Sequence, residues 1–235
     1  MKKIAGELFQ LCKKIGKITG KYRTRKVKVI AGKKTKKTVY RESGCSFHVD
    51  IEKVFFSPRL MGERARIAGL IKPGETVGAF FAGVGPYPIV FAKHSKMEKA
   101  FAIELNREAV KLMKKNIELN KVEGKVIPLL GDVKKLSKKI AGKCDRVVMP
   151  MPKCGEDFLE AAFTAAKQKA VIHFYHFVLK DEGFDSAIEK IGRACKKHGI
   201  EYRVLDKRIV LSSSPSKIEV VIDFSVAKRK NLKNH

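Results

Sequence analysis

A chain of 235 residues with 44% apolar content fits one large domain, or one domain with a small appendage, around a sizeable core. Its 51 Lys and Arg against 24 Asp and Glu leave a net charge of +27, and the basic residues cluster, which disfavours a merely solvated surface and points to a polyanion, nucleic acid first. No apolar run is long enough to span a bilayer, and Glu7 and Gln10 break the first residues before a signal-peptide core can form, so a membrane or secreted protein is excluded in favour of a cytoplasmic one.

Residues 4–15 carry Ile4, Leu8, Leu11, Cys12 and Ile15 at helical spacing, which predicts a helix. Three short alternating segments follow, VKVIA, TVYRE and FHVDI, with turns at Gly32 and Ser43-Gly44. Lys33, Lys34, Lys36 and Lys37 make one tip too charged for a core. Residues 1–56 thus read as a small basic α+β module, and 57–235 as a larger α/β domain.

Ser57 and Pro58 suit the cap and first position of a helix that stops at Pro73-Gly74. Beyond it strands and helices alternate: TVGAFF, then YPIVFAKH; KAFAIE, then NREAVKLMKKNIELN capped by Asn106; KVIPLL, then a short helix from Val133; DRVVM, then GEDFLEAAFTAAK; AVIHFYHF, then FDSAIEKIGRACKKH. YRVLDKRIVLS and KIEVVIDFSV close as two strands. Alternating βα units predict a mostly parallel sheet with helices on both faces and an antiparallel hairpin at one edge. The tail from residue 228 is expected to fray.

Five cysteines (12, 45, 144, 154 and 195) show no C-x-x-C, which predicts reduced, mostly buried thiols and no metal. His173 and His176 lie three apart in a strand and point to opposite faces, which also argues against a metal.

Ligands of such sheets sit beyond the strand C-termini. There Phe81-Ala82-Gly83-Val84-Gly85-Pro86 offers two glycines that let backbone approach a ligand. Glu104 ends the next strand, placed to accept hydrogen bonds from a ribose. Asp132 ends the third, placed to meet an adenine edge with Val133 flanking the ring. Residues 149–153, MPMPK, end the fourth. No third glycine completes a G-x-G-x-x-G pattern, and Pro86 occupies the turn instead, which disfavours a dinucleotide.

These residues, with GKYRT, YRESGC, KVFFSPRLMGER, FAGVGP, LNKVEGKVIPLLGDV, DRVVM-x-x-PK, VIHFY and VLDKRIV, resemble the archaeal and eukaryotic-type tRNA (guanine-N1-)-methyltransferases, a class I family. The likeness begins at about residue 18 and implies a Rossmann-like seven-stranded sheet, S-adenosyl-L-methionine as cofactor, and guanosine 37 in the tRNA anticodon stem-loop as target. It implies Glu63 as base and Arg23 as charge stabiliser, the pair that removing the N1 proton and stabilising the resulting charge require. It implies cofactor contacts from Arg64, Phe81, Gly83, Gly85, Glu104, Leu105, Asp132, Val133 and Pro152, and RNA contacts from Phe55, Arg59, Pro150, Lys153, Lys21 and Arg25. A monomer without a metal is expected.

The chain departs from the family pattern at Ala79, where an Asp is usual, and at Pro150, where an Asn is usual. Relatives also carry a further N-terminal domain. Two other readings follow: an RNA-binding paralogue with weak or no transfer, and an aminocarboxypropyl transferase of wyosine synthesis. The Pro152-Lys153 pair favours the methyltransferase.

Overall fold

The computed structural model describes residues 11–20 and 22–228. The chain opens with two antiparallel ribbons. β1 (Leu11–Thr19) pairs with β2 (Thr24–Ala31), and β3 (Lys37–Glu42) pairs with β4 (Cys45–Asp50). The helix expected over 4–15 is not formed across 11–15, which are strand. Backbone pairing of Cys12 with Val29 and Ile15 with Lys26 overrides a helical period carried by only five residues. Residues 4–10 lie outside the described residues, as do Lys21 and the tail from 229; only the backbone of Arg25 is described.

A single turn at Pro58–Leu60 leads into α1 (Met61–Leu70). Ser57 precedes it in an extended conformation, but its hydroxyl caps nothing. Then come β5 (Thr76–Phe80), α2 (Pro86–His94), β6 (Lys99–Glu104), α3 (Arg107–Leu119), β7 (Val126–Leu130), α4 (Val133–Leu136), β8 (Cys144–Met149), α5 (Leu159–Ala165), β9 (Ala166–Leu179), α6 (Asp185–Lys197), β10 (Ile200–Ser212) and β11 (Lys217–Lys228). Asn106 caps α3 by accepting from the Glu108 N–H at 3.0 Å, as its position predicts.

The seven strands lie in the order β10-β11-β9-β8-β5-β6-β7. β5 to β9 are parallel, and β11 is inserted antiparallel between β9 and β10. The final hairpin therefore forms the predicted antiparallel edge. Two apolar layers cover the sheet, one built with α1, α2 and α3, the other with α4, α5 and α6.

β4 is joined to the first layer. Cys45, Phe47 and Val49 are buried with Val84, Val110 and Met113. Two amides, Asn116 on α3 and Asn120 just beyond its end, complete its exposed backbone edge. Asn120 accepts from Ser46 N–H at 2.9 Å and donates to Ser46 C=O at 2.7 Å. Asn116 accepts from His48 N–H at 2.7 Å and donates to the carbonyls of His48 and Val84. One side chain thus couples the ribbon to the glycine turn after β5.

Candidate active site

The turn after β5 bends sharply because three residues adopt left-handed backbone: Phe81 (φ 53°), Gly83 (57°) and Gly85 (90°). A methyl group at Gly85 would meet Met113 Cγ at 2.9 Å and Ile89 Cδ1 at 3.0 Å, so this glycine lets α2 and α3 close on the turn. Gly83 N–H points at the end of β6 and donates to Glu104 Oε2 at 2.8 Å. Asn106 N–H donates to Oε1 at 2.7 Å. Burial pushes the Glu104 carboxyl up, and the N–H groups of Asn106, Gly83 and Leu105 oppose that shift. A half-buried acid held by backbone amides, with no cation paired to it among the described residues, keeps acceptor capacity for the hydroxyls of a ribose.

A cavity of about 160 Å³ opens beside it at the C-terminal ends of the parallel strands. It gathers eight of the sequence-predicted residues: Arg23, Phe55, Phe81, Glu104, Leu105, Asp132, Val133 and Pro150. Met151, from the MPMPK strand end, and Tyr22 and Phe158, neither of which was expected, complete the wall. Phe158 stands edge-on to Phe81, with ring centres 4.9 Å apart, and Lys134 Nζ lies 5.0 Å over its ring. Asp132 also caps α4, accepting from Lys134 N–H at 2.8 Å.

Arg23 enters from the N-terminal segment. The turn after β1 closes with Arg23 N–H on Gly20 C=O, Arg23 itself has positive φ, and its guanidinium lies 4.7 Å over the Phe55 ring. Phe55 is 36% exposed, so its ring is open to a ligand rather than packed in the core. Arg23 and Phe55 also border a second cavity, of about 410 Å³, lined by Tyr40, Phe56 and aliphatic residues of β2 to β4.

Other predicted residues lie elsewhere. Arg64 is 1% exposed, and its Nε and Nη2 each donate to the Glu42 carboxylate at 2.5 Å. That buried pair clamps β3 to α1 and leaves Arg64 away from the cavity. Pro152 is buried outside the lining, and Lys153 is exposed. Arg59 donates to Ser212 C=O at 2.8 Å, outside the cavity lining. Ala79, 2% exposed, sits within β5 between Ala102 and Val148, in the sheet rather than at its rim.

Glu63 is buried under α1 and outside the cavity lining. Its Oε1 accepts from Tyr175 Oη at 2.6 Å and Arg66 Nη2 at 2.7 Å, and its Oε2 accepts from Arg66 Nε at 2.9 Å. Arg66 Nη1 continues to Asp223 Oδ2 at 2.6 Å. Asp223 Oδ1 meets His173 Nδ1 at 2.6 Å, His173 Nε2 meets Arg146 Nη1 at 2.7 Å, and Arg146 Nε donates to Glu75 at 2.8 Å. His173 thus belongs to a buried polar chain, and His176 faces the other way, toward Glu156. Among the described residues no group of His, Cys, Asp and Glu could hold a metal.

A family model described as the TRM5/TYW2 methyltransferase domain matches residues 38–205. Over 211 residues the chain is 40% identical to tRNA (guanine(37)-N(1))-methyltransferase Trm5b of Pyrococcus abyssi (strain GE5 / Orsay), covering 90% of this chain and 62% of that protein. The solved complex of aTrm5 and tRNALeu superposes with a TM-score of 0.82 at 36% identity, over 92% of this chain and 60% of that one. The crystal structure of M. jannaschii TYW2 in complex with AdoMet superposes with a TM-score of 0.79 at 32% identity, over 86% of this chain and 91% of that one. The chain spans less than two thirds of the length of the first two relatives.

Proposed function

The chain belongs to the TRM5/TYW2 methyltransferase family, and from that premise we propose that it transfers the methyl group of S-adenosyl-L-methionine to N1 of guanosine 37 in tRNA. The observation that carries this reading is the convergence on one cavity of Arg23 and Phe55 from the N-terminal ribbons with Glu104 and Asp132 from the sheet.

The cofactor, when bound, supplies an electrophilic methyl group on sulfur. Glu104 accepts from the ribose hydroxyls, Asp132 meets the adenine edge, Val133, Phe158 and Leu105 flank the ring, and Phe81 with the glycine turn walls the methionine side. The target base lies against Phe55, at the junction of the two cavities. Arg23, held over that ring, donates to O6, where charge builds as the N1 proton leaves. Glu63 is the proposed acceptor of that proton, and Arg66 and Tyr175 fix its carboxylate.

Residues 1–56 form the proposed RNA-gripping module and residues 57–235 the transferase domain of a cytoplasmic monomer. No helix among the described residues is long and apolar enough to cross a membrane.

Single-turnover incubation of an anticodon stem-loop with the cofactor, read by mass, tests the reading. Gain of one methyl group on guanosine 37, lost when that guanosine is replaced, is the expected result. Gain of an aminocarboxypropyl group would assign the other transfer reaction, and no gain would leave an RNA-binding paralogue.

A further inference from the structure

Glu219, Val221 and Asp223 alternate onto one face of β11 and pair with Phe177, Tyr175 and His173 of β9. α1 covers this face, with Glu63 bonded to Tyr175 and Arg66 to Asp223. The buried polar chain therefore climbs the sheet from Glu75 to Glu63. Glu219 is the next acid toward the strand ends that carry the cavity. It is 7% exposed, and no hydrogen bond from another described residue reaches its carboxyl. Arg59, anchored on Ser212 opposite Ile218, and Arg23 act on it as cations, and Glu63 acts on it as an anion.

Three donors occupy the Glu63 carboxylate, Tyr175 Oη and Arg66 Nη2 on Oε1 and Arg66 Nε on Oε2, which leaves it few free lone pairs for an incoming proton. We propose that Glu219 completes the proton-accepting site: it is coupled to Glu63, and the proton lost from guanine N1 is held by that pair of carboxylates. The inference rests on the methyl-transfer reading above. The N1–H bond breaks and its electron pair forms the N1–CH3 bond. The S–CH3 pair stays on sulfur, and the proton stays on the Glu63–Glu219 pair until product leaves. Burial first, and Glu63 with it, raises the Glu219 carboxyl to about 7, against the pull of Arg23 and Arg59. Its charge therefore changes across the neutral range, as a proton acceptor requires. Glu219 receives its share of the proton through Glu63 and does not itself face the base.

The test is single-turnover methylation of the stem-loop from about pH 5.5 to about pH 8.5, comparing wild type, Glu219→Gln and Glu219→Asp, with cofactor affinity measured on each. The wild-type rate is expected to climb through about pH 7. Glu219→Gln is expected to lose that limb and about tenfold or more in rate at neutral pH, with cofactor affinity unchanged. Glu219→Asp is expected to keep a limb with a displaced midpoint, which decides the matter should the Gln variant not fold. A Gln variant with wild-type rate and limb, or one slowed equally at every pH, overturns the proposal and leaves the methyl-transfer reading standing. A wild-type protein that transfers nothing overturns both.

Discussion

Glu104 and Gly83 are tied by a 2.8 Å hydrogen bond in which the backbone N–H of the glycine turn donates to the carboxylate at the end of β6. The same carboxylate takes the Asn106 N–H on its other oxygen, so two strand ends and the cap of α3 are registered through one side chain. Glu104→Gln places an NH2 group against one of these N–H donors. One buried bond is lost and one donor is left unpaired, about 1–3 kcal/mol. Calorimetric titration is expected to show cofactor affinity about tenfold to a hundredfold weaker. An unchanged affinity would remove Glu104 from the cofactor site.

Arg66 joins two buried carboxylates, Glu63 and Asp223, and is itself held firmly charged by them. Arg66→Met removes the cation from both acids and leaves only Tyr175 on Glu63 and His173 on Asp223. Breaking a buried pair from one side costs about 3–5 kcal/mol, to be read as a fall in the denaturant midpoint. The double variant Arg66→Met, Asp223→Leu is expected to recover part of that loss, because one uncompensated charge is gone. A single variant as stable as wild type would show the network to be solvated.

Periodicity and turn residues made the order of strands and helices in 57–228 legible, because buried parallel strands and their glycine turns are written in local sequence. The cavity was legible because Glu104 ends a strand, Phe81, Asp132 and Pro150 each follow one, and every parallel strand ends at the same rim. Arg64 was not, since its sequence neighbours do not reveal that Glu42, 22 residues away, takes its guanidinium. The network under α1 was missed for the same reason. Its signals were Arg66 one turn after Glu63, and Glu219 and Asp223 four apart in a strand of apolar residues. β1 was misread because Ile15 and Cys12 fit a helical stripe as well as a strand until β2 is placed beside them.

Two buried groups give stability opposite slopes with pH. Burial pushes the His173 imidazole down, so it stays neutral in the fold, its Nδ1–H donated to Asp223 while Nε2 accepts from Arg146. The unfolded chain takes up that proton below about pH 6.5, so this contribution to stability falls as pH drops below that value. The Glu219 carboxyl is raised to about 7. The unfolded chain releases that proton at lower pH than the fold does, so stability from Glu219 is full at acid pH and is lost as pH rises toward 7, by up to about 3 kcal/mol. Asp223, held at about 2 by His173 and Arg66, stays ionised throughout this window and adds no slope. Denaturant midpoints measured against pH are expected to show Glu219→Gln gaining on wild type as pH rises. His173→Gln is expected to gain on wild type as pH falls. Difference curves of the same sign would contradict both assignments.

The basic tip between β2 and β3 is expected to set the salt dependence of the proposed RNA binding. Lys36 is engaged there, its ammonium 2.7 Å from Glu52, while Lys33, Lys34 and Lys37 are exposed and form no ion pair among the described residues. Free ammonium groups on a protruding tip are suited to pairing with phosphates, and each pairing releases counterions from the RNA. Replacing these three lysines with Gln is expected to flatten the plot of log affinity against log salt by about 0.7 for each phosphate no longer neutralised. Affinity at low salt is expected to fall, while cofactor affinity and the methylation rate at saturating RNA stay close to wild type. Lys36→Gln is expected to change the slope less, because its partner already neutralises it, and to loosen the tip instead. A triple variant with the wild-type slope would place the phosphate-binding cations on another face of the protein.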